Sequence, residues 1–392
     1  MLLFLVPVAL ATVVGLIALW PSGAPTRAQQ AADIQMPPGT TYPKGQVVSV
    51  QRVACGSETS GQAPQCATAV MKVLDGEGKG DFQQIGLSPD VVAAGVEKGD
   101  VFVLTRDAGA DGGPTYAFSD YARGTPIVVL AIAFALVVGL VARWRGLASL
   151  IGLGFAFFML VRFILPGLLA DESPTLVSLV GTSAIMFVVL YLAHGFSART
   201  TTALVGTLSG LTLVAVLGSV AVSVARLTGL TSEETVALQT LDPTLNFSGL
   251  VLAGVVVAGL GVLNDVTITQ ASAVWQLREV SPDLTWRQLY SRGMAVGRDH
   301  IASTVYTIVF AYAGAALPLL LLFELYTRPV TVSLFSSSVA EEVIRTLVGA
   351  IALVLAVPLT TVIGAFFATA AASEVGEATD RRMTALRTRF AR

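Results

Sequence analysis

Eight stretches of this chain are long and apolar enough to cross a lipid bilayer, and nothing else in the sequence restricts the fold so strongly. A helix needs about 20 mostly apolar residues to traverse the hydrocarbon layer, and residues 2–20, 126–142, 147–169, 174–193, 202–224, 247–263, 301–323 and 343–371 approach or meet that requirement. Composition agrees: 54% of the 392 residues are hydrophobic and 13% are charged, about half the charged share of an ordinary soluble domain. The expected fold class is therefore mainly α, a polytopic membrane bundle of about eight transmembrane helices.

The connections between these stretches sort by charge. Arg143 and Arg145 follow the second stretch, Arg199 the fourth, and Arg278, Arg287, Arg292 and Arg298 the sixth, while Arg381, Arg382, Arg387, Arg389 and Arg392 follow the last. The alternate connections carry Asp171 and Glu172, then Glu233, Glu234 and Asp242, then Glu324, Glu341 and Glu342. Arginine is retained on the cytoplasmic side, so both termini are expected inside the cell and residues 21–125 outside it. The first stretch has a longer apolar run than a signal peptide and no basic residue ahead of it, so residues 1–20 read as a retained transmembrane anchor. Residues 126–371 then form a seven-helix membrane domain, and residues 372–392 a basic cytoplasmic tail.

Residues 21–125 divide in two. PSGAPTRAQQAADIQMPPGTTYPKG has the composition of a linker, whereas GQVVSVQRV, ATAVMKVLDGEGKGD and VEKGDVFVLT alternate β-prone runs with turn residues. They point to a small β-rich domain, a barrel or a sandwich. The two cysteines of the chain, Cys55 and Cys66, both fall in it. An extracytoplasmic position permits a disulfide between them, which would close the loop between the first strands. GEGKG at 76–80 lacks the spacing and the hydroxyl residue of a phosphate loop, and reads as a Gly-rich hairpin turn.

The functional candidates are the polar residues set among apolar ones. Asn264, Asp265, Thr267, Thr269 and Gln270 follow the sixth apolar run directly, and Arg298, Asp299 and His300 open the seventh. If the sixth span is only about 18 residues long, the polar run is a wet helix end. If Trp275 and Arg278 mark the interface, Asp265 lies about 15 Å deeper, where an ionisable group is expensive and usually functional. Asp265, Thr269 and Ser272 share one helical face, and Asn264, Thr267 and Ala271 form an adjacent stripe. Ser303, Thr304 and Thr307 continue the polar start of the seventh stretch. Carboxylates, an imidazole and hydroxyls together suit the movement of protons or cations, so the candidate substrate or ion pathway comprises Asp265, Thr267, Thr269, Gln270, Arg298, Asp299, His300 and Thr304. The competing reading is a structural clamp, with Arg298 paired to Asp265 or Asp299 and the threonines bonded back to helix carbonyls.

Other polar positions have plain roles. Ser338 to Glu341 and Thr231 to Glu234 fit capping boxes, Ser173 before Pro174 starts a helix, and Arg162 can snorkel outward to Asp171 or Glu172. His194 closes the fourth span near the interface and could join the Asp299 group. Pro318 and Pro358 are expected to kink the seventh and eighth spans.

Several long segments resemble the YibE/F family of bacterial multipass membrane proteins. They are LGVLNDVTITQASAVWQL, GRDHIASTVYTIVFAYAGAALPLLLLF and EEVIRTLVGAIALVLAVPLTT, with WRGLASLIGL, ILPGLL, LYLAHGFSART and TGLTSEE in the same order around them. The resemblance covers about residues 122–361. It implies a multi-pass architecture in a bacterial plasma membrane and supplies no substrate. Asn264 departs from it, since some relatives are expected to carry an acid there.

The leading expectation is an integral membrane transporter or channel-like permease. An accessory or scaffolding protein whose outer domain binds an envelope partner is the alternative. An intramembrane enzyme is the remote one: Asp265 and Asp299 sit on successive spans, but the Gly-x-Gly-Asp approach of membrane aspartyl proteases is missing. The chain is accordingly read as no enzyme, with no cofactor, no assigned metal and no nucleic acid partner, the net charge being only −2. Membrane lipids and further copies of the chain complete the expected partners.

Overall fold

The computed structural model describes residues 2–35, 39–55, 65–108, 113–325, 329, 331–332 and 335–390. The chain divides into two compact units, one of residues 27–138 and the other of residues 1–26 with 139–392.

The first unit is built on a five-stranded antiparallel sheet. Its strands are β1 (Lys44–Ala54), β2 (Gln65–Val73), β3 (Phe82–Leu87), β4 (Val101–Ala108) and β5 (Pro114–Tyr121), in the order β3-β2-β1-β4-β5. Alternation places Val47, Ala69, Met71, Ile85, Phe102 and Leu104 on one buried face. Phe102 meets Phe118 and Tyr121 edge-on, at 5.2 and 5.0 Å between ring centres. The edge strands β3 and β5 approach each other, so the sheet is strongly curled. Cys55 and Cys66 form a disulfide joining the end of β1 to β2. Residues 76–80 turn β2 into β3, with Gly76, Gly78 and Gly80 all at positive φ, a backbone that only glycine adopts without strain. Two features differ from the sequence reading. The presumed linker contains a short helix, α2 (Arg27–Gln35), and strands β3 and β5 lie outside the runs that alternation picked out. A five-residue helix, α3 (Pro89–Ala93), follows β3.

The second unit is helical. Its elements are α1 (Leu2–Ala18), α4 (Gly124–Met159, the first half of which groups with the sheet unit), α5 (Leu165–Leu169) after one π-helical turn, α6 (Pro174–His194), α7 (Ala198–Val224), α8 (Glu233–Leu241), α9 (Phe247–Val280), α10 (Trp286–Ala315), α11 (Leu317–Leu325) and α12 (Ser337–Phe390). Among the described residues, five helical stretches are long and apolar enough to cross a membrane: Gly124–Leu169, Pro174–His194, Ala198–Val224, Phe247–Val280 and Ser337–Ala370. The first holds two of the expected spans, separated at Arg143, whose φ of 55° and ψ of −135° interrupt the helix. The two other expected spans fall outside this group. Residues 2–20 form the 17-residue α1, and residues 301–323 are divided at Ala316 between α10 and α11. Pro318 explains that division: it has no N–H to return to the Gly314 carbonyl, so the ladder ends with the Ala316 N–H on the Tyr312 carbonyl at 2.9 Å.

Many large apolar side chains face outward, among them Leu140 and Val141 at 80% exposure and Phe310 at 71%. Leaving each in water forgoes about 1.5–3 kcal/mol, so this surface belongs in lipid.

Local sequence sets the helix starts. Ser197 accepts the N–H of Thr200 at the head of α7, Asn246 that of Gly249 at the head of α9, and Thr285 with Gln288 forms a reciprocal box at α10. The α8 box uses Ser232 and Thr235, one residue later than expected, and the Ser232 hydroxyl holds the Glu234 carboxyl below the usual carboxylate range. Thr231 is thereby released to donate to Glu341 at 2.8 Å, and Glu341 also pairs with Arg345 at 3.5 Å.

At the centre of the bundle, α7, α9 and α12 pack on one another, with α6 and α10 against them. Close approach depends on glycine notches. A Cβ on Gly210 would stand 2.9 Å from Leu263, and one on Gly218 would stand 2.7 Å from Leu252. α12 runs without a break through the segment read as a basic tail.

Candidate functional site: the polar faces of α9

With 34 residues, α9 is about 51 Å long, well beyond the roughly 30 Å of the hydrocarbon layer. Its polar residues divide into two faces with different surroundings.

One face is buried and neutral. The Thr267 hydroxyl shares a 2.6 Å hydrogen bond with that of Thr207 on α7. The Gln270 amide donates to the Gly293 carbonyl of α10 at 2.9 Å and to the Thr361 hydroxyl of α12 at 2.7 Å. One turn further on, the Trp275 indole donates to the Thr202 hydroxyl of α7 at 3.2 Å. This ladder ties α9 to three neighbours without using a charge. Trp275, expected as an interfacial anchor, is one of its rungs. At the edge of this region the Asn264 Oδ1 and Thr360 Oγ1 atoms are buried with no hydrogen-bond partner among the described residues.

The other face is open and charged. Asp265, Thr269 and Ser272 line a cleft of about 430 Å³ together with Arg145, His194 and Arg199. Asp265 and Thr269 are exposed to it, and Ser272 bonds back to the Ile268 carbonyl at 2.7 Å. Among the described residues, none of Asp265, Arg145 and Arg199 forms an ion pair within 4 Å. The cleft therefore gathers one carboxylate, two guanidinium groups and an imidazole, none of the charges neutralised by direct contact.

The remaining candidates lie on α10. Arg298 and Asp299 are exposed and take part in no ion pair among the described residues. His300 is half-buried with Nε2 unpartnered among the described residues, and the Thr304 hydroxyl donates to its carbonyl at 2.9 Å. Gln270 reaches this helix from α9 at Gly293 and against Gly297, and Val274 packs on Gly293 as well. Arg298, Asp299 and His300 are absent from the described lining of the Asp265 cleft. Arg162 is exposed and makes no ion pair among the described residues.

A second cleft, of about 670 Å³, opens at the opposite ends of α6, α7 and α9, where Thr175, Ser219, Ser223, Arg226, Asn246 and Ser248 line it. Arg226 holds a left-handed φ of 52° there. Between the two clefts α7 and α9 are in direct contact, with Gly218 on Leu252, Val214 on Gly259 and Gly210 on Leu263. Leu252 and Asp265 are 13 residues apart, about 20 Å along the helix.

Sequence reasoning reached Asp265 and Thr269 but left Arg145 and Arg199 as markers of sidedness. One sequence signal points to them: both are basic side chains in connections that the charge alternation groups with the connection after α9.

The fold and these clefts define an integral membrane protein of the polytopic helical class. The chain matches the YibE/F-like protein family over residues 130–370 and belongs to that family. No curated protein and no solved structure matches it.

Proposed function

We propose that this chain is a transporter or channel-like permease of the bacterial plasma membrane. In this reading eight helices cross the bilayer, both termini are cytoplasmic and residues 21–125 lie outside. The Asp265 cleft then faces the cytoplasm, and the Arg226 cleft faces out. The observation that carries the proposal is the position of Asp265: a carboxylate on a membrane-length helix, free of ion pairs among the described residues, lines one of two polar clefts at opposite ends of the same three helices. Ionisable groups in such settings are usually functional. The glycine–leucine contacts between the clefts act as the closed barrier, and transport requires α7 and α9 to part there. Flux of protons and small ions into proteoliposomes tests this; Asp265→Asn is expected to reduce flux at least tenfold, and unchanged flux removes Asp265 from the mechanism.

A second reading has specific support in the neutral ladder of Thr267, Gln270 and Trp275, which accounts for half of the polar run as helix-locking. On that reading the protein is a scaffold whose outer sheet domain holds an envelope partner. Pull-down through that domain from native membranes discriminates, because a stoichiometric complex without flux favours the scaffold. The intramembrane-enzyme reading requires Asp265 and Asp299 in one cavity, and the described lining of the Asp265 cleft includes Asp265 and not Asp299.

A further inference from the structure

From the composition of the Asp265 cleft we infer that it is a binding site for a small oxyanion, of phosphate, sulfate or carboxylate type, held by Arg145 and Arg199 and opposed by Asp265. The inference rests on the transport reading only for its link to flux, because anion binding itself can be measured without transport.

Three observations carry it. The first is charge balance. The described lining holds two guanidinium groups, one imidazole and one carboxylate, so the cavity keeps a positive excess with histidine neutral. The second is the absence of an internal counter-ion. Neither Arg145 nor Arg199 is within 4 Å of a carboxylate among the described residues, although an arginine fork satisfies its donors best on a planar or tetrahedral oxyanion.

The third is where the arginines stand on their helices. Arg199 is in the first turn of the 27-residue α7, and Arg145 is in the first turn after the break at Arg143. A helix N-terminus is electropositive, so a cation there is of the wrong sign for the helix. Two such mismatches meet in one cavity, and both turn favourable once an anion lies between the guanidinium groups and the helix ends. The Thr269 hydroxyl on the same wall offers a further donor to an oxyanion. Sidedness alone explains basic residues at these ends; it does not explain their convergence on a shared cavity without carboxylate contacts.

The chemistry fits a dissolved anion or the phosphate of a lipid headgroup, and the test separates the two. Purified full-length protein in nanodiscs of zwitterionic lipid is titrated with radiolabelled sulfate and phosphate at constant ionic strength, with chloride as the balancing ion. Saturable binding is expected. Arg199→Gln and Arg145→Gln are each expected to weaken it about tenfold or more, the usual loss for a charge-assisted contact. Asp265→Asn is expected to tighten it several-fold, because it removes the like charge.

These opposite signs are the discriminating feature, since a merely structural role would make all three variants worse. Arg199→Lys retains the charge without the fork, so an intermediate affinity from a monodisperse protein separates loss of binding from loss of fold. If sulfate and phosphate bind only weakly but phosphatidylglycerol co-purifies in an Arg199-dependent manner, the site stands and its ligand is the headgroup. The inference is overturned if folded wild-type protein retains neither, or if Asp265→Asn weakens binding as the arginine variants do. Anion binding without flux would sink the transport reading and leave this one intact; flux without anion binding would do the reverse.

Discussion

The two faces of α9 begin from similar residue types and end in opposite states. On one, Thr267 and Gln270 are buried, neutral and hydrogen-bonded to α7, α10 and α12. On the other, Asp265 and Thr269 open into a cleft where, among the described residues, neither Asp265 nor the two arginines form an ion pair. The contrast follows from what each face can satisfy. An amide or hydroxyl between packed helices finds carbonyls and hydroxyls within reach, whereas an unpaired carboxylate in the same place would carry a desolvation penalty that only water or a ligand can offset. Polar character in a membrane helix is therefore two signals, and burial separates them.

The comparison can be broken most forcefully at Gln270. Gln270→Ala removes the donor for Gly293 and Thr361 and leaves a void, so unfolding in detergent is expected to become easier by about 2–3 kcal/mol. Gly210→Val tests the packing that separates the clefts; its Cβ would meet Leu263 at 2.9 Å, and a loss of about 2 kcal/mol in the same assay is expected. Thr207→Val deletes one rung with little change of volume and should cost about 0.6 kcal/mol, the mean for such bonds between membrane helices. On the open face, Asp265→Asn and Thr269→Ala should leave stability within about 0.5 kcal/mol of the parent protein, with Asp265→Asn alone reducing flux at least tenfold. A stability loss at Asp265 as large as that at Gln270 would erase the distinction between the faces.

Much of this was legible in the sequence, for identifiable reasons. Apolar runs depend on local composition, so the long apolar helices, the β-rich segment and the Cys55–Cys66 pair could be read residue by residue. The short helix at 27–35 was hidden by the proline and glycine residues flanking RAQQAADIQ, although those nine residues are mostly good helix formers. Strands β3 and β5 escaped because FQQIGL and PTYAFSDY hold few β-branched residues. The division of the seventh stretch was announced by Pro318, but its consequence depended on how much charge α10 carries before it.

The site was only half visible. Helical spacing grouped Asp265 with Thr269 and Ser272, while the choice of what faces them belongs to tertiary packing. Residues 145, 194 and 199 approach 265 only through the way α4, α6, α7 and α9 are arranged, and no local pattern encodes that. For the same reason Trp275, which composition marks as an interfacial anchor, serves as a hydrogen-bond donor to Thr202.

The central claim is that α9 presents a water-reached charged face beside a sealed neutral one. It is tested most directly by introducing Asp265→Cys and Thr267→Cys separately and labelling inside-out membrane vesicles with a membrane-impermeant thiol reagent. The account predicts rapid modification at 265, slowed by sulfate or phosphate, and almost none at 267. Equal rates at the two positions, or no reaction at 265, would contradict it.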